Sequence, residues 1–273
     1  MNATGYNFHN CKLCGQASAR PSYDLGDPTI YVCGHCDFHF IDHLDGPATS
    51  MDATGALNEQ ARKYIDQRRE ESAAFHRARL QLIQEKIDLS HSLCLDIGAG
   101  LGQFQLLLAE QGATTEGIEP SAVRRAYAQE RFGIELKAEL IDHAYWQQHQ
   151  RAAFDLISLW DVLEHVDFPR ETLQAAVRLL KPGGLLALDT PSREVPAYRL
   201  SQWLYRLSRG RVSLFLPSYY SSARFGHKQI FSHQQVLQMF NRLGLEIVAQ
   251  PCAYAARGRS GRKIIVVGRK KVS

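Results

Sequence analysis

The chain has 273 residues, enough for one large α/β domain and a small appendage. Its 45% hydrophobic and 22% charged content is that of an ordinary globular protein and excludes a disordered or fibrous chain. A formal charge of +4 is too slight to imply nucleic acid by itself, and no apolar run approaches the ~20 residues of a membrane helix. The start, Met1-Asn2-Ala3-Thr4-Gly5, has neither the basic nor the apolar region of a secretory signal, so a cytoplasmic location is expected.

Four of the six cysteines form two pairs, Cys11-x-x-Cys14 and Cys33-x-x-Cys36, separated by eighteen residues. That interval suits a four-cysteine zinc site, with Gly15 and Gly34 beside two tight turns. About forty residues make too little core to hold together without such a staple. Disulfides or a redox pair are the alternatives, and a reducing cytoplasm argues against the first. Four thiolates close the shell, so the metal is read as structural, and His9, His35 and His39 as bystanders. The reading is a zinc ribbon over 1–45. Polar residues from Asp42 to Gly55 then have linker composition. Leu57 to Leu89 reads as one long helix or two short ones, with Tyr64, Phe75, Leu82, Ile83 and Ile87 on one face. Linker and helices together occupy 46–90.

The stretch from Leu93 to Phe104 organises the rest. Leu93 to Ile97 is a short buried strand broken only by Asp96, and Gly102 to Glu110 has helical spacing. Gly98 and Gly100 let the backbone turn sharply and let a ligand lie against the main chain. A dinucleotide fingerprint would place its third glycine at 103, where this chain has Gln103; the third glycine is Gly102. A pyrophosphate is poorly served by Asp96 beside the loop. The aspartate suits a cationic ligand such as the amino group and sulfonium of S-adenosylmethionine. Thr115 to Pro120 ends a second strand, and Glu119 stands where a carboxylate can accept from both ribose hydroxyls.

Helix 121–131, a short strand at 134–138 and a strand at 154–159 continue the alternation of a parallel sheet covered on both faces. Trp160 to Asp167 follows, with Glu164 and His165 as candidates for substrate chemistry, because a histidine titrates near neutrality and can take a hydroxyl proton. The alternative is that they cap and pack the next helix. Leu173 to Leu180 is read as that helix, ended by Pro182-Gly183-Gly184, and Leu185 to Asp189 as a strand. Between Pro191 and Phe231 the pattern breaks into an aromatic amphipathic insertion, its 193–228 part read as either a lid over an apolar acceptor or a dimerisation surface. Arg193, Arg224, His227 and Lys228 add donors for an anionic group. Ser232 to Leu243 reads as a capped helix, and Leu245 to Ala249 with Ile264 to Gly268 as a closing hairpin. Arg257, Arg259 and Arg262 cluster near its connection, as a solvated surface or a polyanion site.

Leu95-Asp96-Ile97-Gly98-Ala99-Gly100-Leu101-Gly102, Gly117-Ile118-Glu119-Pro120-Ser121, Trp160-Asp161-Val162-Leu163-Glu164-His165 and Leu180-Lys181-Pro182-Gly183-Gly184 occur in one order. In these motifs the chain resembles the class I S-adenosylmethionine-dependent methyltransferases, in particular bacterial ones acting on small molecules. The resemblance implies a Rossmann-like, doubly wound seven-stranded sheet with an antiparallel last strand over 91–273, the zinc ribbon preceding it. It places Leu140 and Ile141 at the adenine and Trp160 and Asp161 on the cofactor wall, and it brings a histidine, here His227, back to the pocket as a second candidate base. In similar quinone-pathway O-methyltransferases acidic and histidine residues of this motif hold a divalent metal, which maps here onto Asp161, Glu164 and His165. The expected reaction is methyl transfer to oxygen or carbon of a hydrophobic or ring-bearing small molecule. Two rivals remain: an RNA methyltransferase, disfavoured by Asp24, Asp27, Asp37, Asp42 and Asp45 on the ribbon, and a non-catalytic subunit of a biosynthetic assembly.

Overall fold

A computed structural model describes residues 5–46, 57–149, 151–251 and 263–272. Most of the linker, Cys252 and the connection bearing Arg257, Arg259 and Arg262 lie outside the described residues. The cysteine segment forms an antiparallel meander of β1 (Ala19–Asp24), β2 (Thr29–Cys33) and β3 (His39–Ile41). Its interior is aromatic: Phe38 and Phe40 are fully buried and stack at 5.6 Å. One long helix follows, α1 (Glu59–Gln84), started by the Asn58 side chain accepting from the Ala61 amide at 2.8 Å.

The main sheet contains β4 (Leu93–Ile97), β5 (Thr114–Ile118), β6 (Phe154–Trp160), β7 (Leu180–Pro191), β9 (Leu245–Ala249) and β10 (Lys263–Lys270), in the order β5-β4-β6-β7-β10-β9. The first four are parallel, and β10 runs antiparallel to both neighbours. Leu185, Leu186, Ala187 and Leu188 are all fully buried, as expected of a strand covered on both faces. The covering helices include α2 (Gln103–Ala109), α3 (Ala122–Phe132), α4 (Ala144–His149) and α5 (Pro169–Leu179). Between β7 and the last hairpin lie α6 (Pro196–Leu207), α7 (Leu216–Tyr219), β8 (Gln229–Ile230) and α8 (His233–Arg242). A reciprocal Ser232–Gln235 capping box starts α8.

Three local expectations change. The strand expected at 134–138 is reduced to one bridge, Lys137 against Ile118, so among the described residues the sheet has six strands rather than seven. Only Gly117 and Glu119 exchange backbone hydrogen bonds with Lys137 before the chain turns into the loop held by Trp146 Nε1 donating to Glu139 O. The stop at Pro182-Gly183-Gly184 falls inside a strand: the helix ends at Leu179 and β7 begins at Leu180. Finally, β8 pairs with β3, His39 opposite Ile230 and Phe40 opposite Gln229, so the insertion supplies the fourth strand of the cysteine segment's sheet.

Candidate functional site

The four cysteines converge. Cys11 Sγ lies 3.6 Å from Cys36 Sγ, and Cys14 Sγ lies 3.7 Å from Cys33 Sγ. A tetrahedron with Zn–S of about 2.3 Å has edges of about 3.8 Å, whereas a disulfide requires about 2.05 Å. All four sulfurs lie within 4.8 Å of one another. The Leu13 and Cys14 amides donate to Cys11 Sγ, at 3.4 and 3.5 Å, as a turn wrapped around a thiolate does. Donor set and spacing fit a zinc ion. His39 faces away, its Nδ1 2.9 Å from the Tyr198 hydroxyl.

At the carboxyl end of β4, Gly98, Gly100 and Gly102 all have positive φ, at 70°, 59° and 75°. Gly98 is required by packing as well, since a Cβ there would stand 2.4 Å from Val162 Cγ2. Gly100 has nothing within 4 Å of that position, so open space lies over the turn. Two buried carboxylates flank it. Asp96 accepts from Ser158 Oγ at 2.6 Å, and burial pushes its pKa up to about 7. Glu119 accepts from the Gly100 and Ser121 amides, each at 2.9 Å, and burial raises it also. A cationic ligand offsets such desolvation, so the pair fits the amino-sulfonium cofactor that Asp96 suggested. Pro120 is half-buried beside Glu119, while in the next turn Ile141 is buried and Leu140 exposed.

The end of β6 and the turn after it carry three buried polar atoms without a hydrogen-bond partner among the described residues: Trp160 Nε1, Glu164 Oε1 and His165 Nδ1. Buried polar groups are ordinarily paired, so three orphans within six residues make this stretch a candidate site. The other Glu164 oxygen accepts from Thr190 Oγ1 at 2.9 Å. Burial, then repulsion from Asp161, pushes Glu164 up to about 8. His165 Nε2 stands 3.8 Å from Glu164 Oε1, and its ring meets His227 edge to face at 4.7 Å. Burial, then the charge of His227, holds His165 down to about 4; burial lowers His227 as well. His227 is seated by its chain neighbours: the Lys228 amide donates to Glu164 O at 2.7 Å, and Gln229 Nε2 donates to Leu163 O at 2.8 Å and Val166 O at 2.6 Å. Donor atoms of Glu164, His165 and His227 lie within 4.8 Å of one another.

Asp161 is engaged elsewhere. Its carboxylate accepts from Arg79 at 2.8 Å and from Lys263. Arg79 also grips fully buried Asp189, Nε donating at 3.1 Å and Nη2 at 2.8 Å, and its guanidinium lies 5.0 Å above the Trp160 ring. This clamp pins α1 across the ends of β6 and β7. A second tie stands over the glycine loop, where Gln103 Nε2 donates to Arg69 O and Ser72 Oγ to Gln103 Oε1. Sequence reasoning missed Arg79, Asp189 and Lys263. Asp189 alone had a signal, an acid closing an apolar strand as Asp96 does.

A glycine turn and paired carboxylates at the head of a sheet in this order define a Rossmann-like cofactor-binding enzyme of the class I methyltransferase type. Residues 60–250 match the family described as "Methyltransferase domain", and the chain belongs to it. The "Ubiquinone biosynthesis O-methyltransferase" of Pseudomonas entomophila is 31% identical over 127 residues, 45% of this chain and 54% of that protein. The match thus spans about half the length of the curated relatives. Among solved structures, a SAM-dependent methyltransferase from Methanosarcina mazei superposes with TM-score 0.54 at 16% identity, covering 70% of this chain and 98% of its own. One from Mesorhizobium loti does so with TM-score 0.52 at 18% identity, covering 70% and 96%. These two likenesses are of fold.

Proposed function

We propose that the enzyme methylates an oxygen, or alternatively a carbon, of a hydrophobic or ring-bearing small molecule in the cytoplasm, with Cys11, Cys14, Cys33 and Cys36 holding a structural zinc ion. The names of the Pseudomonas relatives favour oxygen over carbon. The observation that carries the reading is the run of orphaned polar atoms at Trp160, Glu164 and His165 beside the glycine turn. Asp96, Gly98, Gly100, Gly102, Glu119, Pro120, Leu140, Ile141, Trp160 and Asp161 form the cofactor's seat. S-adenosylmethionine supplies a methyl group on a sulfonium that leaves readily. The protein's main contribution is alignment, worth up to ~7–11 kcal/mol.

His165 and His227, both lowered by burial, are neutral near pH 7 and ready to accept the acceptor's hydroxyl proton as its oxygen takes the methyl. Positive charge then arrives 3.8 Å from Glu164 and favours its carboxylate form. A divalent cation is a second reading, favoured by the three clustered donors: Glu164, His165 and His227 would hold it, and it would make the acceptor's hydroxyl more acidic. Asp161 does not fit that set, because Arg79 and Lys263 take its oxygens. His165→Ala and His227→Ala are expected to lower kcat on the order of 10²-fold or more with a phenolic acceptor. Unchanged turnover of labelled cofactor in both variants removes this mechanism.

A further inference from the structure

Large apolar side chains exposed singly are ordinary, but here they gather. Six of the eleven among the described residues lie between Leu200 and Phe215. On α6, Leu200, Trp203 and Leu207 are 48%, 60% and 67% exposed, and their spacing makes one helical stripe. The opposite side of α6 is committed to the protein: Tyr198 and Ser201 are fully buried, and the Tyr205 hydroxyl donates to Asp24 O at 3.1 Å. The chain then doubles back, the Phe215 amide donating to Ser201 Oγ at 3.2 Å, and Val212, Leu214 and Phe215 add further exposed apolar surface.

Charge identifies the occupant. Arg199, Arg206, Arg209 and Arg211 are all exposed within the same segment. No Asp or Glu occurs between Glu194 and Glu246. A second copy docking symmetrically would bring these arginines against themselves with no anion to meet them. Nucleic acid would leave Leu200, Leu207, Val212 and Leu214 without base stacking. An apolar, tryptophan-bearing stripe edged by arginines matches a helix lying in the interface of an anionic bilayer, its side chains at the headgroup–acyl boundary and its guanidinium groups on lipid phosphates. We propose that α6 and the 212–215 segment form a peripheral docking surface for an anionic lipid membrane. Among the described residues no helix is long and apolar enough to cross one, so this surface rests on the bilayer.

The chain contains a built-in reporter. Of its three tryptophans, Trp146 and Trp160 are buried, leaving Trp203 to sense the lipid. Full-length protein should co-sediment with phosphatidylcholine vesicles containing roughly 30% phosphatidylglycerol, with a blue shift of tryptophan emission, and weakly or not at all with phosphatidylcholine alone. Trp203→Glu with Leu207→Glu should weaken binding tenfold or more at unchanged melting temperature. Arg199→Ala with Arg211→Ala should reduce the preference for anionic vesicles, as should added salt. Absence of vesicle binding, or equal binding by the Trp203 and Leu207 variant, overturns the proposal. So does an anionic preference that survives loss of the arginines, or a dimer of the unsubstituted protein that the glutamates disperse.

Discussion

Cys33→Ser, or chelation of the bound metal, should release zinc and unfold the small sheet, and with it scramble the seat of His227. A structural zinc contributes ~10–16 kcal/mol in small zinc domains, comparable with the ~5–15 kcal/mol that holds a whole protein folded. Little else in the cysteine segment replaces it, for the meander has only three short strands of its own. The consequence spreads through specific bonds. β3 pairs with β8, the Ile41 amide donates to Lys228 O at 2.9 Å, and Gln235 Nε2 donates to Cys36 O at 2.8 Å. Buried Lys228 meets Asp45 at 2.9 Å. Hydrogen exchange should therefore accelerate at 227–230 as well as at 11–41, with zinc content falling from one equivalent to near none. Faster exchange confined to the cysteine turns, with 227–230 still protected, would show that the metal does not support this side of the site.

Arg79→Met should destabilise the docking of α1 by about 3–5 kcal/mol, the usual consequence of leaving a buried charge without its partner. Asp189 is fully buried and Arg79 nearly so, and Lys263, 3.4 Å from Asp189, is shared with Asp161. The second substitution Asp189→Leu should recover much of the loss, because an apolar pair has no uncompensated charge. A single variant as stable as the native protein would refute the clamp. Acid should weaken the same contact. Burial, then the charge of Arg79, lowers His76 to about 3, against about 6.5 in an unfolded chain. Its stabilising contribution is whole above pH ~6.5 and is lost as pH falls towards 3, since the unfolded chain then binds the extra proton.

Local chemistry was legible in the sequence; distant pairing was not. The two cysteine pairs announce a four-sulfur cluster by spacing alone, and Asp96, the glycines and Glu119 sit at the ends of adjacent strands that the topology must align. Glu164 and His165 are chain neighbours, so their association with each other was evident. His227 was suggested only by the family resemblance; its contact with them depends on the 228–229 chain binding the 163–166 backbone, and a two-residue strand leaves no periodic trace. Arg79 and Asp189 are 110 positions apart, and nothing around Arg79 separates it from the other charges of α1. The expected strand at 134–138 had the right composition, but one bridge is all its position at the sheet edge sustains. Asp161 belongs to the same motif as Glu164 and His165, yet its carboxylate turns to Arg79 and Lys263, a preference set by partners on α1 and β10.

The pocket at the glycine turn is tested most directly by calorimetric titration of the 273-residue protein with S-adenosylhomocysteine. One site with Kd on the order of 1–100 μM is predicted. Gly98→Ala should abolish that binding, since its φ of 70° is strained for alanine and the new methyl collides with Val162. No heat from the native protein, or equal affinity in the variant, would contradict the account.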